Sequence, residues 1–151
     1  MSSSTIASSR SIAETFRALR EKKQIALMPF IAAGFPDLAT TRATLPAIEA
    51  SGANLIEIGF PFSDPIADGP VIQEAFTAAL EKKLKIGEVF ATVADARKSV
   101  TIPLVAMVSY SIVFRYGLDR FLKDAKAAGF SGLILPDLPP PEADKVFDLV
   151  R

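Results

Sequence analysis

The stretch from Leu55 to Pro70 concentrates the residues best suited to chemistry, with three carboxylates, Glu57, Asp64 and Asp68, in one apolar segment and the loop after it. Strand side chains alternate, so Leu55, Glu57 and Gly59 share one face while Ile56 and Ile58 share the other. If the isoleucines pack beneath helices, Glu57 is directed to the opposite, inner face. A carboxylate withdrawn there from bulk water can give and take a proton in general acid/base work. Pro61, Pro65 and Pro70 stiffen the following loop, holding Asp64 and Asp68 more firmly than a Gly/Ser loop could. Spacing alone leaves a second account open. In it, Glu57 is a strand-end carboxylate paired with a Lys or Arg, and Asp64 and Asp68 form turns through Asp-Pro and Asp-Gly.

The residues that are missing shorten the menu of mechanisms. The chain contains no Cys and no His. That removes disulfides, thiolate nucleophiles, Ser-His-Asp triads and the common zinc and iron–sulfur ligand sets. No metal site is expected. None of the lysines follows an apolar strand end; Lys82, Lys83 and Lys85 form a charged helix-end cluster, which argues against a Schiff-base enzyme and against pyridoxal phosphate on this chain. Seventeen basic residues balance seventeen acidic ones, so no electrostatic excess draws the protein to nucleic acid or anionic lipid. The uncharged run Ile25 to Pro36 is interrupted by Pro29 and Gly34 and falls short of the roughly 20 residues that span a bilayer. No apolar signal-peptide segment follows the Ser-rich start. A soluble, cytoplasmic protein is expected.

At 151 residues, 50% hydrophobic and 23% charged, the chain has room and apolar content for one globular domain. Residues 1–10 read as a flexible leader and 11–151 as the folded part. Ser11 and Glu14 form a capping box ahead of Ile12, Phe16 and Leu19 at helical spacing. Apolar strands are expected near 26–32, 55–59, 103–108 and 132–136. Between them lie helical patterns: Leu38 to Ala50, bent or locally broken at Pro46 and ended at Gly52; Ile72 to Leu80; around Val89 to Ala96; and around Phe121 to Ala125. A last helix begins near Glu142. Strands alternating with amphipathic helices indicate parallel β/α architecture. Ala50-Ser51-Gly52 and Ala127-Ala128-Gly129 each precede a strand that ends near an acid, Glu57 and Asp137, where such folds place their chemistry. Four β/α units are half of an eight-stranded barrel, which typically takes about 250 residues. Three completions stand open: the first half of a longer protein, which is favoured, a second copy or another chain completing the sheet, or an open doubly wound sheet.

Leu55 to Gln73 closely resembles the signature of the tryptophan synthase α subunit family, and Pro29 to Asp37 resembles that family's first strand and loop. The resemblance runs from about Phe16 to the end of the chain. It implies the N-terminal half of a (β/α)₈ TIM barrel with an extra N-terminal helix. It also implies a lyase of tryptophan biosynthesis that cleaves indole-3-glycerol phosphate to indole and glyceraldehyde 3-phosphate, with no metal or organic cofactor on this chain. By that match Glu57 is the acid/base that protonates indole C3 and handles the glyceryl hydroxyl proton. Asp68 is the carboxylate that bonds the indole N–H. Phe30 matches an aromatic lining the indole pocket, and Tyr110 falls in a substrate-side loop after the third strand. There the sequence departs from the family, with Ser109 in place of a Tyr and Ser111 in place of an Asn. Asp137 matches an orienting or structural carboxylate. Pro61 and Asp64 lie where the family meets its partner, a pyridoxal-phosphate β subunit in an α₂β₂ assembly. The phosphate-holding loops of such barrels follow strands seven and eight, beyond Arg151. The alternative is an inactive half-barrel or self-associating scaffold that lacks the phosphate site.

Overall fold

A computed structural model describes residues 11–65 and 68–150. The expected leader, 1–10, lies outside the described residues. Ser11 caps the first helix, α1 (Ile12–Glu21): its hydroxyl accepts from the Glu14 N–H while Glu14 accepts from the Ser11 N–H, the reciprocal box read from the sequence. Four parallel strands follow in the order β1-β2-β3-β4: β1 (Phe30–Ala32), β2 (Ile56–Gly59), β3 (Leu104–Met107) and β4 (Gly132–Ile134). Between and after them run α2 (Leu38–Ala50), α3 (Pro70–Glu81), α4 (Ile86–Ala96), α5 (Tyr110–Tyr116), α6 (Leu118–Ala128) and α7 (Pro140–Val150). A parallel sheet in sequential order with helical crossovers is half of a (β/α)₈ barrel.

The core lies between the outer face of the sheet and the helices. Ile56, Ile58, Leu104 and Ala106 are fully buried there, with Val89, Phe90, Val93 and Ala96 of α4 and Phe121 and Ala125 of α6 packed over them. Phe60 stands at the centre of an aromatic cluster, its ring centroid 5.6 Å from Phe90, 5.7 Å from Phe121 and 5.9 Å from Phe130. Edge-to-face pairs of this kind contribute roughly 0.5–1.5 kcal/mol each beyond their burial.

Three elements depart from the sequence expectation. The first strand is confined to Phe30–Ala32, and the segment before it leaves Ile25 94%, Leu27 55% and Met28 42% exposed, because among the described residues no strand flanks β1 on its far side. Helix α2 runs through Pro46. Its other features are as read: Asp37 caps it, accepting from Thr40 N–H at 2.7 Å, and Gly52 follows its end at φ +95°. Ser109 and Tyr110, expected in a loop, form the cap and first residue of α5.

Two connections brace the ends of the barrel half. At the amino ends of the strands, Arg97 is 2% exposed and donates to Ile102 C=O, tying α4 to β3. Its stem crosses Gly129, which ends α6 at φ +92°; a Cβ there would lie 2.8 Å from Arg97 Cγ. At the carboxyl ends, the Asp137 carboxylate accepts from Ser109 Oγ at 2.6 Å and from Tyr110 N–H at 2.7 Å, tying the β4–α7 loop to the start of α5. Burial opposes charge on Asp137, but the Ser109 hydroxyl and the Tyr110 N–H outweigh it and hold the carboxyl below its ordinary range.

Gly129→Ala places a side chain at a left-handed backbone position and against the Arg97 stem, so urea denaturation should show a loss of about 1–3 kcal/mol. The lowered Asp137 pKa contributes stability that is present above the unfolded value of about 3.9 and is lost as pH falls through the folded one. Urea midpoints followed from neutral pH to below about pH 4 should therefore fall less steeply in Asp137→Asn than in the parent; parallel curves would contradict the clamp.

Candidate active site

The register of the sheet sets which side chains meet. Phe30, Glu57, Val105 and Gly132 are lateral partners across β1, β2, β3 and β4 and share one face, while Ile31, Ile58, Ala106 and Leu133 form the adjacent row on the other. The second row enters the helix-covered core, so the first row faces inward. Glu57 is therefore on the inner face and half-buried, as the alternation of β2 requires. The ion pairs among the described residues, Arg42–Asp95, Lys98–Asp95 and Arg120–Asp124, leave Glu57 out, so the strand-end ion pair is not what holds it.

Phe30 lies beside Glu57 on the same face, with its ring drawn over β2 at Gly59. A Cβ at Gly59 would overlap that ring and approach Phe76 Cζ at 3.2 Å, so the absent side chain is what lets the aromatic settle there. Phe76 of α3 meets Phe30 edge-on, centroids 6.5 Å apart and planes 62° apart, and fixes its tilt. Sequence reading marked Glu57 and Phe30 but missed Gly59 as the space between them. The signal was present, since Gly59 shares the face of Glu57 two residues on.

Asp68 follows the carboxyl end of β2 and is half-buried. Its N–H donates to Pro65 C=O at 3.0 Å, and its own C=O accepts from Gln73 Nε2 at 2.8 Å. The same Gln73 amide reaches Pro65 C=O at 3.3 Å. The first turns of α3, opened by Gly69 and Pro70, thus hold the far end of the loop through its backbone and leave the Asp68 carboxylate uncommitted among the described residues. Ile66 and Ala67, between Asp64 and Asp68, lie outside those residues.

The other candidates separate. Asp64 is exposed on the loop, but Pro61 is buried and lines a narrow gap with Leu80, Leu84 and Ile86, so of these two only Asp64 is presented to solvent. Tyr110 is 8% exposed, belongs to the packed core, and donates its hydroxyl to Glu142 of α7 at 3.1 Å. Burial, with Glu142 accepting from it, pushes that hydroxyl above the usual phenol value. Tyr110 therefore joins α5 to α7 and does not extend the Phe30–Glu57 row. Ser109, half-buried between Asp137 and Ser111 Oγ (2.8 Å), sits at the mouth of β3 in its stead. Glu142 was not singled out by sequence, and only the fold brings it to Tyr110. Among the described residues no group of three or more Asp or Glu gathers as a metal site, and no helix is long and apolar enough to cross a membrane.

The inner face thus presents Glu57 on a paired strand beside the Phe30 ring, while Asp68 stands on a tethered loop beyond the carboxyl end of the same strand. That is equipment for moving protons on a flat, apolar substrate.

The sequence pattern of the tryptophan synthase alpha chain family matches residues 16–151. The alpha chain of Chloroflexus aurantiacus is 49% identical over 139 residues, covering 91% of this chain and 52% of that one. That of Microcystis aeruginosa is 47% identical over 135 residues, with 89% and 51% covered. The chain spans about half the length of the curated relatives it matches. Among solved structures, the tryptophan synthase subunit alpha of Legionella pneumophila superposes with a TM-score of 0.88 at 38% identity over 92% of this chain and 53% of its own. A ligand-free tryptophan synthase of M. tuberculosis gives 0.85 at 36% identity, covering 93% and 57%. By sequence and by fold, this chain belongs to the tryptophan synthase alpha chain family.

Proposed function

We propose that this chain carries the acid/base half of a lyase that cleaves indole-3-glycerol phosphate to indole and glyceraldehyde 3-phosphate by a retro-aldol reaction. The observation that carries the reading is Glu57 on the inner row of β2, beside Phe30 and free of any cationic partner among the described residues. Membership of the tryptophan synthase alpha chain family supports this choice of substrate.

In this reading the indole ring lies against Phe30. Glu57 delivers a proton to C3, and the ring becomes an indolenine-like cation with its charge spread onto N1. Asp68, accepting from the N1–H, stabilises that charge with a fixed anion. The bond from C3 to the glyceryl chain then breaks and its electrons return to the ring. The glyceryl hydroxyl loses its proton to the Glu57 carboxylate as its carbon becomes the aldehyde carbonyl. One proton enters at C3 and one leaves the hydroxyl, so Glu57 ends as it began, and no metal or organic cofactor is called for. Asp137, saturated by Ser109 and Tyr110, orients the β3 and β4 ends without exchanging protons.

The substrate phosphate has no anchor in this reading among β1–β4 and their loops; the four further β/α units that complete the barrel supply it. Binding energy from that remote group contributes to rate as well as to affinity. A pyridoxal-phosphate β subunit that consumes the released indole is the proposed partner, and exposed Asp64 is the residue of this chain offered to it.

The test is a barrel completed by fusing the second half of the Chloroflexus aurantiacus alpha chain after Arg151, assayed for indole release. Glu57→Gln should lower kcat by roughly 10²–10⁴-fold with little change in KM, the range for loss of a general acid/base. Asp68→Asn should lower kcat by about 10²–10³-fold, the range for removing one electrostatic stabiliser. Near-parental turnover in both variants, with circular dichroism unchanged, would overturn the assignment.

A further inference from the structure

Helix α3 is tied to its surroundings near its start, its middle and its end, and two of these ties support groups assigned to the substrate ring. Near its start, Gln73 Nε2 donates to Asp68 C=O at 2.8 Å and to Pro65 C=O at 3.3 Å. Asp68 N–H, bonded to Pro65 C=O at 3.0 Å, closes the same turn from within. Among the described residues Gln73 is the one side chain bonded to Asp68. Three residues on, Phe76 is 5% exposed and meets the Phe30 ring edge-on at 6.5 Å. Residues three apart are neighbours on a helix surface, so one side of α3 carries both supports. Past its last turn, Lys82 Nζ donates to Pro36 C=O, and Leu84 Cδ2 lies 2.7 Å from where a Gly34 Cβ would stand. The helix is thereby fastened to the β1–α2 loop as well as to the loop before it. Burial does not account for Gln73: the residue is exposed, and Ala75, Phe76 and Ala79 supply the buried positions of α3.

We propose that Gln73 is a positioning residue for the Asp68 counter-charge, and that α3 joins it through Phe76 to the Phe30 wall, so that one helix sets both groups relative to Glu57. The inference rests on the retro-aldol reading above. An aspartate side chain is short, so where its carboxylate can reach is decided by where its backbone is held and by a small set of rotamers. Gln73 holds that backbone at its carbonyl. Without this tie the carboxylate would spread over positions of which only some lie near a ring nitrogen, and the attraction of an anion for a developing cation falls with distance. The two supports act on different kinetic quantities. The Phe30 wall meets the ring before and during the reaction alike, and binding that is the same in both states shows in KM. The charge opposite Asp68 develops only as C3 takes its proton, so a poorly placed Asp68 shows in kcat.

The fused barrel described above serves for the test. Gln73→Met keeps a helix-forming side chain of similar length and removes both donated hydrogen bonds. It should lower kcat roughly 10- to 100-fold, as a misplacement of about 1 Å can do, with KM near parental. In an Asp68→Asn background the same change should cost less than about twofold, because the interaction it serves is already gone. Phe76→Leu should raise KM about two- to tenfold, the loss of one aromatic contact, and leave kcat near parental. Circular dichroism and urea midpoints of each variant separate these effects from unfolding. A Gln73→Met loss that keeps its full size in Asp68→Asn, or a kcat that Gln73→Met leaves unchanged, would overturn the inference while the reaction assignment stands. Full activity in Asp68→Asn would overturn the assignment and the inference with it. Matching changes of kcat and KM in Gln73→Met and Phe76→Leu would mark α3 as a general support and would also overturn the inference.

Discussion

Burying Ile56 and Ile58 leaves Glu57 no side of β2 except the inner one. That constraint comes from the pleat, whose side chains alternate without exception in an unbulged strand. It is enforced by the helices, since α4 and α6 need Ile56, Ile58, Leu104 and Ala106 to complete their own burial. A one-residue slip of β2 would send Glu57 into the aromatic cluster around Phe60 and bring the isoleucines to the inner face. Each fully buried aliphatic side chain is worth about 1.5–3 kcal/mol, and an unpaired carboxylate in an apolar core costs several more. The register that makes the chemistry available is thus held by residues that take no part in it.

The same division runs through the rest of the molecule. Gly59 contributes by having no side chain, and the Phe30 ring occupies the space so left, steadied by Phe76 from a helix on the far side of the loop. Gln73 contributes through its amide, which grips two backbone carbonyls and leaves the Asp68 carboxylate untouched. Gly129 and Arg97 brace the opposite end of the strands, where β/α barrels invest in stability and not in chemistry.

How much of this could be read in the sequence depended on whether the deciding interactions were local. The α1 capping box, the Asp37 cap, the glycine after α2 and the face of Glu57 are set within a few residues, and each was legible. The fate of the first strand was not. Ile25 to Ala32 has the composition of a strand buried on both faces, yet burial on the second face needs a neighbour that four strands do not supply. Helix α5 was missed because Ser109-Tyr110-Ser111 has the composition of a loop; Ser109 caps the helix by accepting from Ser111 N–H, and a carboxylate 28 positions on, at Asp137, holds that cap in place. Pro61 was read as a loop residue facing a partner, yet it is buried and lines a narrow gap with Leu80, Leu84 and Ile86, which only the packing of α3 and α4 brings together.

Glu57, Asp68 and Asp137 show how a carboxylate is given unlike surroundings by its donors. Asp137 receives a hydroxyl and a backbone N–H, which favour its charged form against the burial that disfavours it. A carboxylate so saturated resists taking a proton, and transferring one through it would break the joint between α5 and the β4–α7 loop. Glu57 and Asp68 receive no such donors from the described chain, so a substrate can supply theirs. Of those two, Glu57 stands on a strand flanked on both sides by paired neighbours, and its carboxylate is placed as firmly as the sheet itself. Asp68 is placed by a loop anchored at Pro65 and Gln73. A proton donor must meet one carbon at one angle, whereas a counter-charge needs only to stay near a delocalised cation. In the proposed reaction the strand mounting therefore belongs to the residue with the stricter geometric task.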